Sequence, residues 1–107
     1  MDSAATLDPT LKQFRDAVAE LYGPALDRVV LFGSRARGDA REDSDYDVAV
    51  FLKGGADLWA EWDRLADLRV RFLDAGGPFI EARPFHADDY RKRTPLMYEI
   101  RKDGVTL

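Results

Sequence analysis

Residues 46–52 constrain the fold of this chain most strongly, because they are almost all apolar and suit a β-strand, whose side chains alternate with a two-residue period. One face of that strand carries Tyr46, Val48, Val50 and Leu52. The other face begins with two acids and carries Asp45, Asp47, Ala49 and Phe51. The expected fold therefore contains a sheet, and two carboxylates stand side by side at one end of a strand.

Helical signals lie on either side of this segment. A first helix begins at Asp8-Pro9 and ends before Gly23-Pro24, because proline suits the first helical position and glycine suits a helix end. Apolar residues at helical spacing predict a second helix over residues 57–73. Its core-facing stripe is expected to comprise Leu58, Trp62, Leu65, Leu68 and Phe72.

The remaining elements complete the order α-β-β-α-β-α. Apolar and β-branched segments predict strands over residues 27–32 and 79–85, and Thr94-Pro95 opens a last helix that runs to about residue 102. Residues 87–91 allow a short helix, and residues 105–107 are assigned to no element. We therefore expect an α/β (α+β) fold, a small mixed β-sheet flanked by helices, in a single domain that spans residues 1–107.

Composition excludes several kinds of site. The chain has no cysteine and one histidine, His86, so a bound metal ion would need oxygen ligands, as magnesium prefers. With 20 acidic and 16 basic residues the net charge is −4, which disfavours binding to a nucleic acid backbone. No apolar run reaches the length of a membrane span, and residues 1–7 lack the features of a secretory signal. We therefore expect a cytoplasmic protein without membrane contact.

A Gly-Ser pair at the end of one strand and an Asp-x-Asp pair at the start of the next suit a nucleoside triphosphate. Gly33 lets phosphate oxygens approach the backbone, and the N–H groups of a helical turn that starts near Ser34 would point at them. Asp45 and Asp47 project to the same side of a strand, where they can hold divalent cations that bridge the phosphates. The alternative is that Gly33-Ser34 is only a turn and that the acids are solvated at a strand edge.

These motifs resemble those of the minimal nucleotidyltransferase family of the DNA polymerase β-like superfamily, whose signature is G-S-x-A-R-G followed by S-D-x-D. The matching positions are Gly33, Ser34, Ala36, Arg37, Gly38, Ser44, Asp45 and Asp47. Residues 94–105 are similar to the family's usual C-terminal segment, so the resemblance covers most of the chain.

The resemblance implies a polymerase β-like nucleotidyltransferase fold, with ATP or another nucleoside triphosphate as substrate. It also implies two Mg²⁺ ions and a third carboxylate on a later strand. The implied nucleotide-binding residues are Gly33, Ser34, Arg37 and Ser44.

Glu81 is the candidate for the third carboxylate, because a strand beside the second one could bring it against Asp45 and Asp47. The family more often has aspartate there, and the longer glutamate changes the reach of the side chain but not its charge. We therefore expect Asp45, Asp47 and Glu81 to bind the metal ions and carry catalysis. The alternative is that Glu81 is an ordinary exposed strand residue, with Asp88 and Asp89 as weaker rivals for its role.

Several other side chains could take part in the site. Arg37 could contact phosphate, or it could brace its loop by pairing with a nearby acid. Arg35 and Arg41 are expected to be solvated, and His86 is expected to cap a helix or to lie on the surface. The two tryptophans are expected to pack in the core or an interface, with Trp59 partly exposed and available to a partner.

The family resembles antitoxins that pair with HEPN-family ribonuclease toxins and silence them by moving AMP onto a toxin tyrosine. Because 107 residues leave little room for an acceptor-binding domain, we expect the acceptor hydroxyl to arrive on a partner protein, a HEPN-type toxin. Two alternatives remain open. The chain could transfer a nucleotide to a small molecule such as an antibiotic, or it could be a weakly catalytic binding module that neutralises a partner by covering it.

Overall fold

A computed structural model describes residues 9–38 and 45–107 of the chain. Its helices are α1 (Pro9–Tyr22), α2 (Ser34–Arg37), α3 (Leu58–Asp74) and α4 (Pro95–Asp103). Its strands are β1 (Leu26–Phe32), β2 (Tyr46–Leu52), β3 (Ile80–His86) and β4 (Val105–Thr106). Short 3-10 helices precede β1 and follow β3, at Gly23–Ala25 and Ala87–Arg91.

The strands form one mixed sheet in the order β3-β2-β1-β4. Strand β1 is antiparallel to both of its neighbours, whereas β2 and β3 are parallel and are connected through α3. The predicted small mixed sheet flanked by helices is therefore confirmed. The predicted order of the six main elements is also correct. The helical turn expected near Ser34 is α2, the short helix allowed at residues 87–91 is a 3-10 helix, and the structure adds the 3-10 helix Gly23–Ala25 and strand β4.

Strand β4 lies where the sequence predicts no element. Val105 pairs with Leu31 and Thr106 pairs with Val30, and the N–H of Leu107 donates a hydrogen bond to the carbonyl oxygen of Val29 (2.9 Å). Two residues are too few to display a period of their own, so only the neighbouring strand makes this segment a strand.

Helices cover both faces of the sheet. Helices α1 and α3 pack on one face and form the larger core with residues such as Leu11, Phe14, Val48, Val50, Leu65 and Leu68. Helix α4 packs on the other face, in a second core of Val30, Phe32, Ala49, Phe51, Met97 and Ile100. The alternating residues of β2 thus enter two different cores, and Asp47 lies on the α4 face.

Helix α3 begins and ends within one residue of its prediction, and Asp57 caps it by accepting a hydrogen bond from the Trp59 N–H (3.1 Å). Its buried side differs from the predicted stripe. Leu65 and Leu68 are buried as predicted, but Trp62 is 39% exposed and Glu61 is buried. The core therefore meets the helix slightly to one side of its most apolar face. None of the helices in the described ranges has the length and apolar character needed to cross a bilayer.

Candidate active site

The end of the sheet where β2 begins holds the residues predicted to bind metal. Asp47 lies between its two register partners, Phe32 of β1 and Glu81 of β3. Register partners project to the same face of a sheet, so Asp47 and Glu81 are neighbours on the α4 face. Asp45 is exposed and lies two residues before Asp47. The fold thus brings the three predicted acids to one end of two adjacent strands.

Gly33, directly after β1, makes a close approach to Asp47. A Cβ atom on Gly33 would stand only 2.5 Å from Oδ2 of Asp47, much too close for a non-bonded contact. The backbone of Gly33 also has φ 77° and ψ −158°, a combination that is essentially confined to glycine. Both the backbone and the neighbouring carboxylate therefore require glycine here.

Ser34 begins α2, which is a single helical turn, so the turn predicted near Ser34 is confirmed. The N–H groups of Ala36 and Arg37 both donate to the carbonyl oxygen of Gly33 at 3.1 Å. Gly38 ends the turn with φ 84°, and its N–H donates to the carbonyl oxygen of Ser34 at 3.0 Å. The Gly-Ser bend is therefore a well-formed turn beside Asp47. Two predicted residues of this loop, Arg41 and Ser44, lie outside the described residues.

Negative charge accumulates around Asp47. Partial burial raises the pKa of its carboxyl, and the guanidinium of Arg83 partly offsets this effect. The carboxylates of Glu81, Asp45 and Glu99 raise the pKa further, so that it lies above its usual range. A divalent cation would relieve this repulsion, and carboxylate oxygens are the ligands that Mg²⁺ prefers. The carboxylates present therefore have the donor chemistry that such an ion prefers.

Glu81 is held by a helix residue. Its Oε1 atom lies 3.5 Å from Nη1 of Arg69 on α3, and the same guanidinium lies 5.0 Å from the ring centroid of Phe79. Within residues 9–38 and 45–107, no three aspartate, glutamate or histidine side chains stand close enough together to enclose a metal ion. A cation bound by all three predicted acids would therefore have to take Glu81 away from Arg69.

Arg37 connects the Gly-Ser loop to helix α4. Its Nη1 atom lies 3.4 Å from Oε2 of Glu99, in a partly exposed ion pair. Pairing with an acid, one of the two roles that the sequence leaves open for Arg37, is therefore present, and the contact with phosphate stays a prediction.

Three charged residues of the site are missing from the sequence prediction. Arg69 and Glu99 reach the site from helices, and no local pattern points to them. Arg83 could have been found, because it lies two residues after Glu81 and hence on the same face of the predicted strand.

Asp88 and Asp89 lie at the opposite end of β3 from Glu81, since they follow the last residue of that strand. Oδ2 of Asp89 accepts a hydrogen bond from the backbone N–H of His86 at 3.0 Å, so this acid caps the 3-10 helix. The fold therefore does not bring these two rivals together with Asp47.

Two surface predictions need adjustment. Arg35 is not simply solvated, because its guanidinium lies 4.7 Å from the ring centroid of Tyr46. Trp59 is more than partly exposed, with 83% of its surface accessible.

With this geometry in hand, comparison with known proteins places the chain in an enzyme family. The family of the nucleotidyltransferase domain matches residues 11–97, which is most of the chain. The chain therefore belongs to the nucleotidyltransferase family, and the resemblance found in its G-S-x-A-R-G and S-D-x-D motifs is confirmed.

Two relatives from Methanocaldococcus jannaschii are each named "putative protein adenylyltransferase". The first is 46% identical over 43 residues, which cover 40% of this chain and 43% of that protein. The second is 33% identical over 75 residues, which cover 70% of this chain and 69% of that protein. The chain thus matches less than half the length of the first relative.

Solved structures share the fold. The crystal structure of a "putative nucleotidyltransferase" from Sulfolobus solfataricus has a TM-score of 0.66 and 23% identity, and the match covers 92% of this chain and 76% of that one. A crystal structure of a toxin-antitoxin with AMP-PNP has a TM-score of 0.60 and 20% identity, covering 92% and 69%. Because both identities are below 25%, the likeness shows the fold alone, which is the polymerase β-like nucleotidyltransferase fold.

Proposed function

We propose that this chain is a single nucleotidyltransferase domain that transfers AMP from ATP, with Mg²⁺, to a hydroxyl of a partner protein. The partner is a HEPN-type toxin, and the transfer makes this chain an antitoxin. Three findings support the proposal: the family match over residues 11–97, two relatives named as protein adenylyltransferases, and a structural neighbour that is a toxin-antitoxin with AMP-PNP.

The observation that carries the proposal is the close approach of Gly33 to Asp47. This approach places the turn that is expected to bind phosphates directly against an acid that is expected to bind a metal ion. Phosphoryl-type transfer depends on positioning and on charge neutralisation, because the protein supplies little covalent chemistry. A phosphate-binding turn and a metal-binding acid in contact are the two parts that such a reaction needs.

Asp45, Asp47 and Glu81 are the residues proposed to hold two Mg²⁺ ions. The bound ions would supply neutralisation of the triphosphate and of the departing pyrophosphate, and they would ease deprotonation of the acceptor hydroxyl. The carboxylates would fix the position of the nucleotide through these ions, and the raised pKa of Asp47 would return toward its usual range once cations balance the neighbouring acids.

Gly33, Ser34, Arg37 and Ser44 are the residues proposed to bind the nucleotide. The hydroxyl of Ser34 and the N–H groups at the start of α2 would orient the β- and γ-phosphates, so that the acceptor oxygen attacks the α-phosphorus and pyrophosphate leaves. Arg37 would contact a phosphate, and its ion pair with Glu99 would keep the loop against α4.

Mass spectrometry of a defined mixture tests this function. The purified chain is incubated with the product of a neighbouring gene, ATP and MgCl₂, and we expect the partner to gain the mass of AMP. The Asp45→Ala/Asp47→Ala variant should abolish the gain. Absence of transfer to any partner would contradict the proposal. Transfer by the chain alone to a hydroxylated small molecule would favour the antibiotic-type activity, and neutralisation that survives the double variant would favour a binding module.

A further inference from the structure

Helix α3 exposes a row of large apolar side chains that no other element covers in the described part of the chain. The row comprises Trp59, Trp62, Val70 and Leu73, which are 83%, 39%, 48% and 45% exposed. At 100° per residue these four positions fall within an arc of about 80°, away from the buried Leu65 and Leu68. We call this row the α3 apolar stripe. Large exposed apolar side chains that share one side of a helix are typical of an interaction surface.

A row of acids runs along one side of the α3 apolar stripe. Asp63, Asp67 and Asp74 are all exposed and lie on the flank that faces away from the sheet. None of the three makes an ion pair with another residue of the described ranges. Asp63 and Asp67 are also one turn apart, where like charges repel each other. The surface therefore combines exposed apolar area with a row of acidic side chains, which lies between the stripe and the arginines Arg64 and Arg71.

From this combination we infer that the α3 apolar stripe docks an amphipathic helix of a partner protein, one with a row of Lys or Arg beside its apolar face. The apolar side chains would supply the contact area, and the three carboxylates would fix the orientation through charge complementarity. A second copy of this chain fits the surface less well. Antiparallel packing of two α3 helices would set one acidic row against the other.

The stripe leads toward the candidate active site. Arg69, which pairs with Glu81, lies one helical turn before Leu73 on the same side of α3. Strand β3, which carries Glu81, is the edge strand of the sheet. A partner seated on the stripe would therefore reach, at its Leu73 end, the sheet edge that carries Glu81. Only the identification of this partner with the acceptor rests on the proposed function; the docking surface itself does not.

Intrinsic fluorescence provides a direct test, because the two tryptophans of the chain are Trp59 and Trp62, both in the stripe. The probe is a synthetic amphipathic peptide of about 18 residues with leucines along one face and lysines beside them. Titrating it into the full chain should give a saturable blue shift of the emission. A matched peptide with glutamates in place of the lysines should bind about tenfold more weakly or not at all. The preference for lysine should weaken as salt is added.

Charge reversal separates this surface from non-specific binding. The Asp63→Lys/Asp67→Lys variant should prefer the glutamate peptide, whereas Asp16→Lys/Glu20→Lys on α1, with the same change in net charge, should keep the original preference. The Leu73→Ser variant, which retains both tryptophans, should bind the lysine peptide more weakly.

Four outcomes would overturn the inference: no shift with either peptide, equal binding of both peptides, binding that the Asp63/Asp67 reversal leaves unchanged, or a blue shift on concentrating the chain alone, which would mean that a second copy covers the stripe. Stabilisation of the same samples by ATP and Mg²⁺ is measured in parallel. Peptide binding without nucleotide binding would support the docking surface and count against the proposed function. Nucleotide binding without peptide binding would support the proposed function and contradict the docking surface.

Discussion

At the scale of single residues, the contact between Gly33 and Asp47 determines what the site can be. The absent side chain of Gly33 is what allows the Asp47 carboxylate to lie against the turn that begins α2. Gly33 is constrained by its positive φ and, separately, by the lack of space for a Cβ atom beside Oδ2 of Asp47. A substitution at Gly33 therefore has two separable consequences.

Replacing Gly33 with alanine should reduce both stability and nucleotide binding. The strained backbone should cost about 1–3 kcal/mol in the free energy of unfolding, and the new Cβ should displace the Asp47 carboxylate. Urea denaturation measures the first effect, and calorimetric titration with Mg²⁺ and a non-hydrolysable ATP analogue measures the second. Gly38→Ala is the control, because Gly38 also has a positive φ but has open space around it. Equal loss of nucleotide affinity in both variants would refute the role given to the Asp47 contact.

Arg69 should compete with metal for Glu81. The Arg69→Gln variant is expected to bind Mg²⁺ and the nucleotide analogue severalfold more tightly. Without the guanidinium of Arg69, Glu81 can bind the metal ion without first breaking an ion pair. The pair is partly exposed, so the free energy of unfolding should fall by about 1 kcal/mol or less. Titration calorimetry is the measurement. Arg71→Gln, an exposed arginine on the same helix, should have no effect on affinity. If Arg69→Gln also leaves the affinity for Mg²⁺ and nucleotide unchanged, Arg69 does not compete with the metal ion for Glu81.

At the scale of elements, short-range side-chain caps mark the starts of α3, α4 and the 3-10 helix that follows β3. Thr94 accepts a hydrogen bond from the N–H of Met97 (3.2 Å) at the start of α4, as its position before Pro95 suggests. Asp89 caps the 3-10 helix after β3 in a similar way. Partial burial alone would raise the pKa of Asp89. Hydrogen bonds from the Lys92 ammonium and the His86 N–H outweigh it and lower the pKa below its usual range.

The cap at Asp89 should contribute stability that disappears in acid. Because the folded-state pKa is lowered, the contribution is fully present above about pH 5 and is lost as the pH falls through that lowered value. Asp89→Ala should therefore cost about 1 kcal/mol at pH 7 and progressively less below about pH 4. Urea denaturation at several pH values measures this. Asp88→Ala, an exposed neighbour with the same loss of charge, should show a smaller effect with little pH dependence. A cost for Asp89→Ala that is constant with pH would contradict the assignment.

At the scale of the whole molecule, the site is assembled from segments that are far apart in the chain. The Gly-Ser turn, the start of β2, the start of β3 and helix α4 contribute Gly33, Asp47, Glu81 and Glu99. The acids meet at one end of the sheet in a chain that already has a net charge of −4. Binding of metal and nucleotide should thus be mutually dependent and should stabilise the entire fold.

Mg²⁺ and ATP together should raise the melting temperature. At about one hundred times the dissociation constant, ligand binding contributes roughly 2.7 kcal/mol, which corresponds to a rise of about 10 °C for a domain of this size. ATP with a chelator should give a much smaller rise, because the acids would repel the triphosphate. The Asp45→Ala/Asp47→Ala variant should lose the effect of Mg²⁺. Thermal denaturation followed by circular dichroism measures all three, and a rise that is equal with and without Mg²⁺ would argue against a metal site at these acids.

The amino-acid sequence by itself determined the principal elements, their order and the motif that identifies the family. These features depend on interactions over a few residues: the two-residue alternation of β2, the helical spacing in α3, and the glycines and prolines at element ends. The acid pair at the start of β2 and the Gly-Ser turn could be predicted for the same reason.

Only the tertiary structure decided which distant residues share the site. Strand register set Glu81 beside Asp47 and carried Asp88 and Asp89 to the opposite end of β3. Helix packing paired Glu81 with Arg69 and Arg37 with Glu99, and left Trp62 at the surface. The physical reason is that side-chain periodicity specifies which way a residue points along its own element. Pairing between elements depends on the packing of the entire core.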